Sequence, residues 1–343
     1  MVTCAIIGAT GAVGMEVAKC MHSRQSTFGP TAPALYASPR SAGKVMSTLY
    51  GDLTIAAFDV DLVNSSSYDY IFLAVSGSFS LEWAEKLTNG GKTVVIDNSS
   101  AFRYHDSIPL VVPEINLAAI GPDDKLIANP NCTTAIAAMA LHPIHAKYTI
   151  ETLIVSSYQA TSGAGEPGMQ ELLEGTRKQL EDLAAPPQPA KMFSHPIAFN
   201  CIPCIDKLQD NGYTKEEMKV AWETRKIFCA PDMKVSVTAV RIPTLRAHSE
   251  AISIQTKDVI DVAGVKEVLA TAKGLVVKDD TANDVYPMPL TSSGADNVEV
   301  GRIRQSLVFG DRGVEIFVCG DQLLRGAALN AVLIAEAMEG RKA

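Results

Sequence analysis

The sequence predicts an α/β protein in two parts: an open parallel-sheet domain, followed by an α+β domain with a mixed or antiparallel sheet. Three observations carry this. Short apolar runs alternate with helical stretches through the first part, and polar turn residues stand at the strand C-ends. Gly8, Gly11 and Gly14 lie between the first apolar run and the first helical stretch. Beyond the alanine-rich run that starts at Cys132, segments with two-residue alternation take over.

Taken in order, Val2–Ile7 is an apolar, partly β-branched first strand. The glycine loop follows, then a helix over Met15–Met21. Ala34–Ala37 is a short second strand. Tyr70–Val75 is a buried strand ending in Ser76-Gly77-Ser78, and Ser80–Leu87 a helix closed by Asn89-Gly90-Gly91. Thr93–Ile96 is a further strand, ending in Asp97-Asn98-Ser99-Ser100. Ala, Leu and Met make the run after Cys132 a buried helix. Thr152–Tyr158 is a strand and Met169–Leu183 an amphipathic helix. Ala185-Pro186-Pro187-Gln188-Pro189 is a rigid surface break, and Lys215–Ile227 a helix. Lys234–Ile242, Glu250–Thr256 and Val314–Cys319 alternate like antiparallel strands. Leu323–Met338 is a closing apolar helix that packs back on the first domain. The expected division is therefore 1–131 plus 322–343, and 132–321.

Composition bounds the function. The 343 residues are 47% hydrophobic and 20% charged, which fits two ordinary globular domains. A formal net charge of −8 argues against a nucleic-acid or anionic-membrane binder. No segment reaches the roughly 18 uninterrupted apolar residues of a membrane span, and no signal sequence is evident. The cytoplasm is the expected location. Seven scattered cysteines fit reduced thiols. Cys201-Ile-Pro-Cys204 has redox or half-zinc-site spacing, but no second CxxC or nearby His pair completes it.

Gly8, Gly11 and Gly14 permit a tight turn and close approach of backbone N–H groups to a pyrophosphate at a helix N-terminus. A tight turn without ligand is the alternative. The second strand ends in Tyr36-Ala37-Ser38-Pro39-Arg40-Ser41-Ala42-Gly43-Lys44. It lacks the carboxylate that NAD sites use on the ribose. A serine and two cations suit a 2′-phosphate instead, so NADP is favoured; solvated surface charge is the alternative for Arg40 and Lys44.

Cys132 stands in Asn129-Pro130-Asn131-Cys132-Thr133-Thr134, at the start of its helix. Unpaired N–H groups and the helix dipole favour a thiolate there, a nucleophile for acyl carbon. The alternative is a buried structural cysteine.

A cysteine nucleophile joined to a dinucleotide domain suggests thioester-forming aldehyde chemistry. Here the chain resembles the aspartate-β-semialdehyde dehydrogenase family. The resemblance runs nearly end to end, through Gly8–Gly14, Asp97–Arg103, Val112-Pro113-Glu114-Ile115-Asn116, Asn129–Thr134, Ser157–Gly165, Arg241–Glu250 and Asp321–Ala328. It implies a Rossmann-type NADP-binding domain and a catalytic and dimerisation domain, assembled as a homodimer or homotetramer. It also implies reduction of β-aspartyl phosphate to the semialdehyde with NADPH, a step toward lysine, threonine, methionine and isoleucine. No metal is implied.

The resemblance further implies Cys132 as nucleophile, His248 as the acid/base that moves the proton, and Gln159 as a substrate contact near the cysteine. Arg241 would clamp the α-carboxylate, Arg103 and Lys219 the phosphate, and Glu216 the α-amino group. Asn131 and Asn98 would shape the phosphate pocket. Glu216 and Lys219 are i, i+3 on the predicted helix, so both can face one pocket, a surface salt bridge on a charged helix being the alternative; Glu217 leaves that register open by one. Cofactor contacts fall on Gly8, Thr10, Gly11, Ala12, Val13, Gly14, Arg40, Ser41, Ser162, Gly163 and Gln322. Rival readings are N-acetyl-γ-glutamyl-phosphate reductase, a malonyl-CoA reductase and a non-catalytic NADP-sensing regulator.

Overall fold

The structure, a computed structural model, describes residues 2–341. Met1, Lys342 and Ala343, which the expected division includes, lie outside the described residues. The chain forms two compact units. One runs to Asn131 and resumes at Ala327; the other is Cys132–Gly326.

The first unit holds a six-stranded sheet of β1 (Cys4–Ile7), β2 (Ala34–Ala37), β5 (Ala56–Ala57), β6 (Tyr70–Leu73), β7 (Val94–Asp97) and β8 (Leu126–Ala128). A small hairpin, β3 (Val45–Thr48) and β4 (Gly51–Thr54), is inserted after β2. The sheet order is β5-β2-β1-β6-β7-β8, and every pairing is parallel. The order reverses at β1, so loops after β1 and β6 flank a switch point, where α/β sheets bind ligands. Strands β1, β6 and β7 are buried along their whole length, as the continuous apolar runs require. Ile7, Tyr36, Ile71, Leu73 and Val95 share one core cluster. The closing segment is interrupted: Leu324–Ala328 forms a wider, π-type turn before the Leu329–Gly340 helix, which packs on the Ala12–His22 helix.

The second unit holds β9 (Ile150–Gln159), β10 (Lys234–Arg241), β11 (His248–Thr256), β12 (Leu275–Val277), β13 (Val298–Gln305) and β14 (Gly313–Gly320). Their order is β10-β9-β11-β14-β13-β12. The sheet is mixed. The antiparallel expectation fails for Lys234–Arg241, because β10 runs parallel to β9. Two-residue alternation reports a buried face and not a direction. The long connection, which contains the Gly165–Glu181 and Lys215–Ile227 helices, is the crossover a parallel pair needs. Strand β11 is antiparallel to both β9 and β14. Among the described residues no helix is long and apolar enough to cross a membrane.

Candidate active site

The topology of the second sheet brings three residues to one end. Gln159 and Arg241 are the last residues of the parallel pair β9 and β10 and stand in register. His248 is the first residue of β11, which starts where β9 finishes. All three are buried. Cys132 opens the Cys132–Tyr148 helix, whose alanine-rich sequence is buried along most of its length. Burial lowers the Arg241 pKa, against smaller opposing pulls from Glu216 and then Cys132, which therefore lies within electrostatic reach of the guanidinium. Behind Cys132, a Cβ on Gly326 would fall 2.7 Å from the Cys132 Cβ, so only glycine lets the π-type turn pass.

One residue ties two of these groups together. The Ala160 carbonyl accepts from Arg241 Nη1 at 2.6 Å, and the Ala160 N–H donates to His248 Nδ1 at 3.0 Å. Nδ1 is thus an acceptor, and the hydrogen-bond network assigns the imidazole proton to Nε2. Nε2 is buried without a partner among the described residues. Burial first, then the Arg241 charge, push the His248 pKa down to about 3, against smaller opposing pulls from Glu216 and the Ala247 backbone. His248 is neutral at physiological pH. Gly163 closes this corner: a Cβ there would fall 2.9 Å from Arg241 Nη1 and 3.6 Å from His248 Nε2.

A polar chain runs on from Gln159. Ser157 Oγ donates to Gln159 Oε1 at 3.1 Å, and Gln159 Nε2 donates to Glu216 Oε1 at 3.2 Å. Lys219 Nζ donates to Glu216 Oε2 at 2.8 Å and to Asp206 Oδ2 at 2.9 Å. Burial works against the Lys219 charge, but the two carboxylates outweigh it and hold its pKa above the ordinary lysine value. The i, i+3 spacing therefore places Glu216 and Lys219 together. Glu217 turns away: it completes a capping box with Thr214, and its Oε1 accepts from the Ala239 N–H at 2.9 Å.

Gln322 is committed within this unit. Its Nε2 donates to Ser162 Oγ, and its Oε1 accepts from the Ala247 N–H at 2.8 Å. Ala247 has φ +69, an uncommon conformation for a residue with a Cβ, just before His248. Cys201 and Cys204 are free thiols. Between them Ile202 exchanges both backbone hydrogen bonds with Arg241, at 2.9 and 2.8 Å, so this segment braces the arginine's strand.

In the first unit the glycine loop fits a dinucleotide pyrophosphate. Gly8 has φ +88, and a Cβ there would fall 2.2 Å from the Ala74 carbonyl oxygen. A Cβ on Gly14 would fall 2.4 Å from the Gly8 carbonyl oxygen. The Ala12–His22 helix starts at Gly11 with no side-chain cap and no acidic residue in its first turn, so Thr10, Ala12 and Val13 flank backbone donors that no side chain fills. Arg40 is exposed and Ser41 half-buried, in a short turn after β2. Arg103 is buried, with Nε on the Asn129 carbonyl at 2.7 Å and Nη2 on the Asn98 carbonyl at 2.8 Å. Asn98 follows Asp97, whose carboxylate is satisfied by Ser80 and Ser99. Asn131, also buried, is the last residue of this part of the unit.

Sequence reasoning passes over Ala160, Gly326 and Asp206. Ala160 acts through its backbone and carries no side-chain signal. Gly326 lies in a resembling segment, but a lone glycine near a helix reads as punctuation. Asp206 follows the CxxC by two residues, with nothing to distinguish it from a loop aspartate.

The chain matches family models described as "Semialdehyde dehydrogenase, NAD binding domain" over residues 3–122 and "Semialdehyde dehydrogenase, dimerisation domain" over residues 141–325. It is 42% identical to an aspartate-semialdehyde dehydrogenase of Synechocystis sp., covering 98% of this chain and 97% of that one. It is 44% identical to one from Aquifex aeolicus, covering 97% and 96%. The crystal structure of aspartate semialdehyde dehydrogenase II from Vibrio cholerae, complexed with ASA, superposes with a TM-score of 0.91 at 38% identity, covering 98% of each chain. With this extent of similarity, and with a glycine-loop parallel sheet joined to a cysteine-bearing mixed-sheet unit, the chain belongs to the aspartate-semialdehyde dehydrogenase family.

Proposed function

We propose that the protein converts β-aspartyl phosphate to aspartate-β-semialdehyde with NADPH and releases phosphate, through a thioacyl group on Cys132. The observation that supports this reading is the shared corner at Gly163, where Arg241 and His248 meet, with Cys132 within electrostatic reach of the Arg241 guanidinium.

The Cys132 thiolate attacks the acyl carbon; the carbon–oxygen bond to phosphate breaks and phosphate leaves with the electron pair. Lys219 and Arg103 are its proposed contacts, and Asn131 shapes that pocket. Arg241 clamps the α-carboxylate with its planar fork. Glu216, held by Gln159 and Lys219, receives the α-amino group; an acylated amine carries no charge for this carboxylate to pair with. The Nε2–H of His248 donates to the carbonyl oxygen as negative charge develops on it. A nicotinamide dinucleotide, when bound, supplies the hydride that reduces the thioacyl carbon. Collapse of the resulting oxyanion breaks the carbon–sulfur bond and returns the cysteine.

Gly8, Thr10, Gly11, Ala12, Val13 and Gly14 are the proposed cradle of the cofactor pyrophosphate. Arg40 and Ser41 favour a 2′-phosphate, hence NADP. The match to a dimerisation domain supports a homodimer or homotetramer.

The test is phosphate-dependent reduction of NADP, comparing aspartate-β-semialdehyde with N-acetylglutamate-γ-semialdehyde, and NADP with NAD. Activity on the first aldehyde alone is expected, with a preference for NADP. Cys132→Ser should lower kcat by roughly a thousandfold or more. Near-normal turnover in that variant removes the thioacyl scheme.

A further inference from the structure

Lys219 is gripped by two carboxylates, and only one of them, Glu216, belongs to the substrate site described above. The other is Asp206, on the loop that precedes the Lys215–Ile227 helix. An ammonium carries three N–H donors. Two are spent, on Glu216 Oε2 at 2.8 Å and on Asp206 Oδ2 at 2.9 Å. Their directions fix where the third points. The lysine side chain is only 14% exposed, so it has little room to choose another rotamer.

The loop around Asp206 is built to hold that carboxylate. Asp206 has φ +70, a left-handed conformation that aspartate tolerates better than most residues. Its Oδ1 accepts from the Lys207 N–H at 2.9 Å. The Lys207 carbonyl accepts from the Lys215 N–H at 2.8 Å, and Leu208 bridges Thr214. The loop is thereby tied to the start of the helix that carries Glu216 and Lys219. Lys219 and the Lys207 N–H together hold the Asp206 carboxyl below its usual range, despite burial that works the other way, so it is a full negative charge beside the ammonium.

We propose that Asp206 is the positioning residue of Lys219: it aims the remaining N–H of the lysine at the phosphate, and its charge limits how tightly that phosphate is held. The proposal rests on the reading of Lys219 as a phosphate contact. Orientation and charge separate on mutation. Asp206→Asn keeps a carbonyl acceptor for Lys219 and removes a negative charge beside an incoming dianion. Asp206→Ala removes both.

The experiment measures KM for inorganic phosphate in the phosphate-dependent reduction of NADP, with KM for the semialdehyde as internal reference and thermal unfolding as a check on folding. Asp206→Asn should lower KM for phosphate about threefold to tenfold. Asp206→Ala should raise it about tenfold. Both shifts should exceed any change in KM for the semialdehyde. Equal increases in both variants, or no change in either, would overturn the proposal. Lys219→Ala separates the premise from the inference. If it leaves KM for phosphate unmoved, the phosphate reading of Lys219 fails and the proposal with it. If it raises that KM while the Asp206 variants do nothing, the inference on Asp206 fails alone.

Discussion

Arg241 and His248 are bound by opposite ends of one residue: the Ala160 carbonyl holds the guanidinium and the Ala160 N–H holds the imidazole Nδ1. The consequence is chemical as well as geometric. A guanidinium beside a buried imidazole repels a second positive charge, and an N–H aimed at Nδ1 leaves the imidazole proton on Nε2. In the proposed reaction His248 is therefore a neutral Nε2–H donor.

The pH dependence follows from that state. The His248 pKa is lowered to about 3 in the folded protein, against an ordinary value of 6.5. The kcat/KM profile should show no acidic limb from His248 between pH 5 and 8 (roughly the range in which an ordinary histidine titrates). In a histidine-labelled NMR titration this imidazole should stay neutral through that range. Between the two pKa values the unfolded chain binds a proton that the folded chain does not, so stability declines as pH falls through that window. His248→Ala should cost about 10²–10⁴-fold in kcat. A limb near pH 6.5 that disappears in His248→Ala would show that the histidine cycles through its charged form.

Gly326 leaves space beside Cys132, the proposed nucleophile. An added Cβ would lie 2.7 Å from the Cys132 Cβ and 3.0 Å from its Cα, so the start of the Cys132–Tyr148 helix would have to shift. Gly326→Ala should lower kcat by about a hundredfold, the scale expected for an ångström-sized misplacement of a reacting group. Steady-state kinetics with a thermal melt decides it. Full activity would mean that the turn relaxes away from the cysteine at no cost to the chemistry.

Glu250 is a buried acid with no part in the proposed reaction. It follows His248 by two on β11, opposite Ser157 and Val318, and neither carboxyl oxygen has a partner among the described residues. Burial raises its pKa well above the ordinary value, so it is a neutral acid over a range where the unfolded chain is ionised. Stability contributed at this position falls as pH rises above the ordinary carboxyl value. Glu250→Gln removes that ionisation and should lose less Tm between pH 5 and 8 than the parent, by roughly 2–4 °C per kcal/mol of relieved penalty. Parallel Tm curves for the two proteins would mean that Glu250 ionises alike in both states.

Much of the site is legible in the sequence because its signals are local. The Gly8-Ala9-Thr10-Gly11-Ala12-Val13-Gly14 turn, the apolar strands around it and the cysteine at the head of an alanine-rich helix each declare themselves within a few residues. The choice between Glu216 and Glu217 stayed open in the sequence reading, although a local signal for it exists. Thr214-x-x-Glu217 is a capping-box spacing, which turns Glu217 back on its own helix and leaves Glu216 as the candidate.

What the sequence determined by itself, then, is the order of the elements, the turn that suits a dinucleotide and the side chains that are candidates for the chemistry, all properties of short stretches of chain. What only the tertiary structure decided is the direction of β10, the tautomer of His248, the empty volume that Gly326 leaves for Cys132 and the second carboxylate on Lys219. These depend on backbone groups and on neighbours far away in the sequence: Ala160 reaches His248 across 88 positions. A main-chain N–H looks the same at every residue, and a missing Cβ matters only once its neighbour is in place.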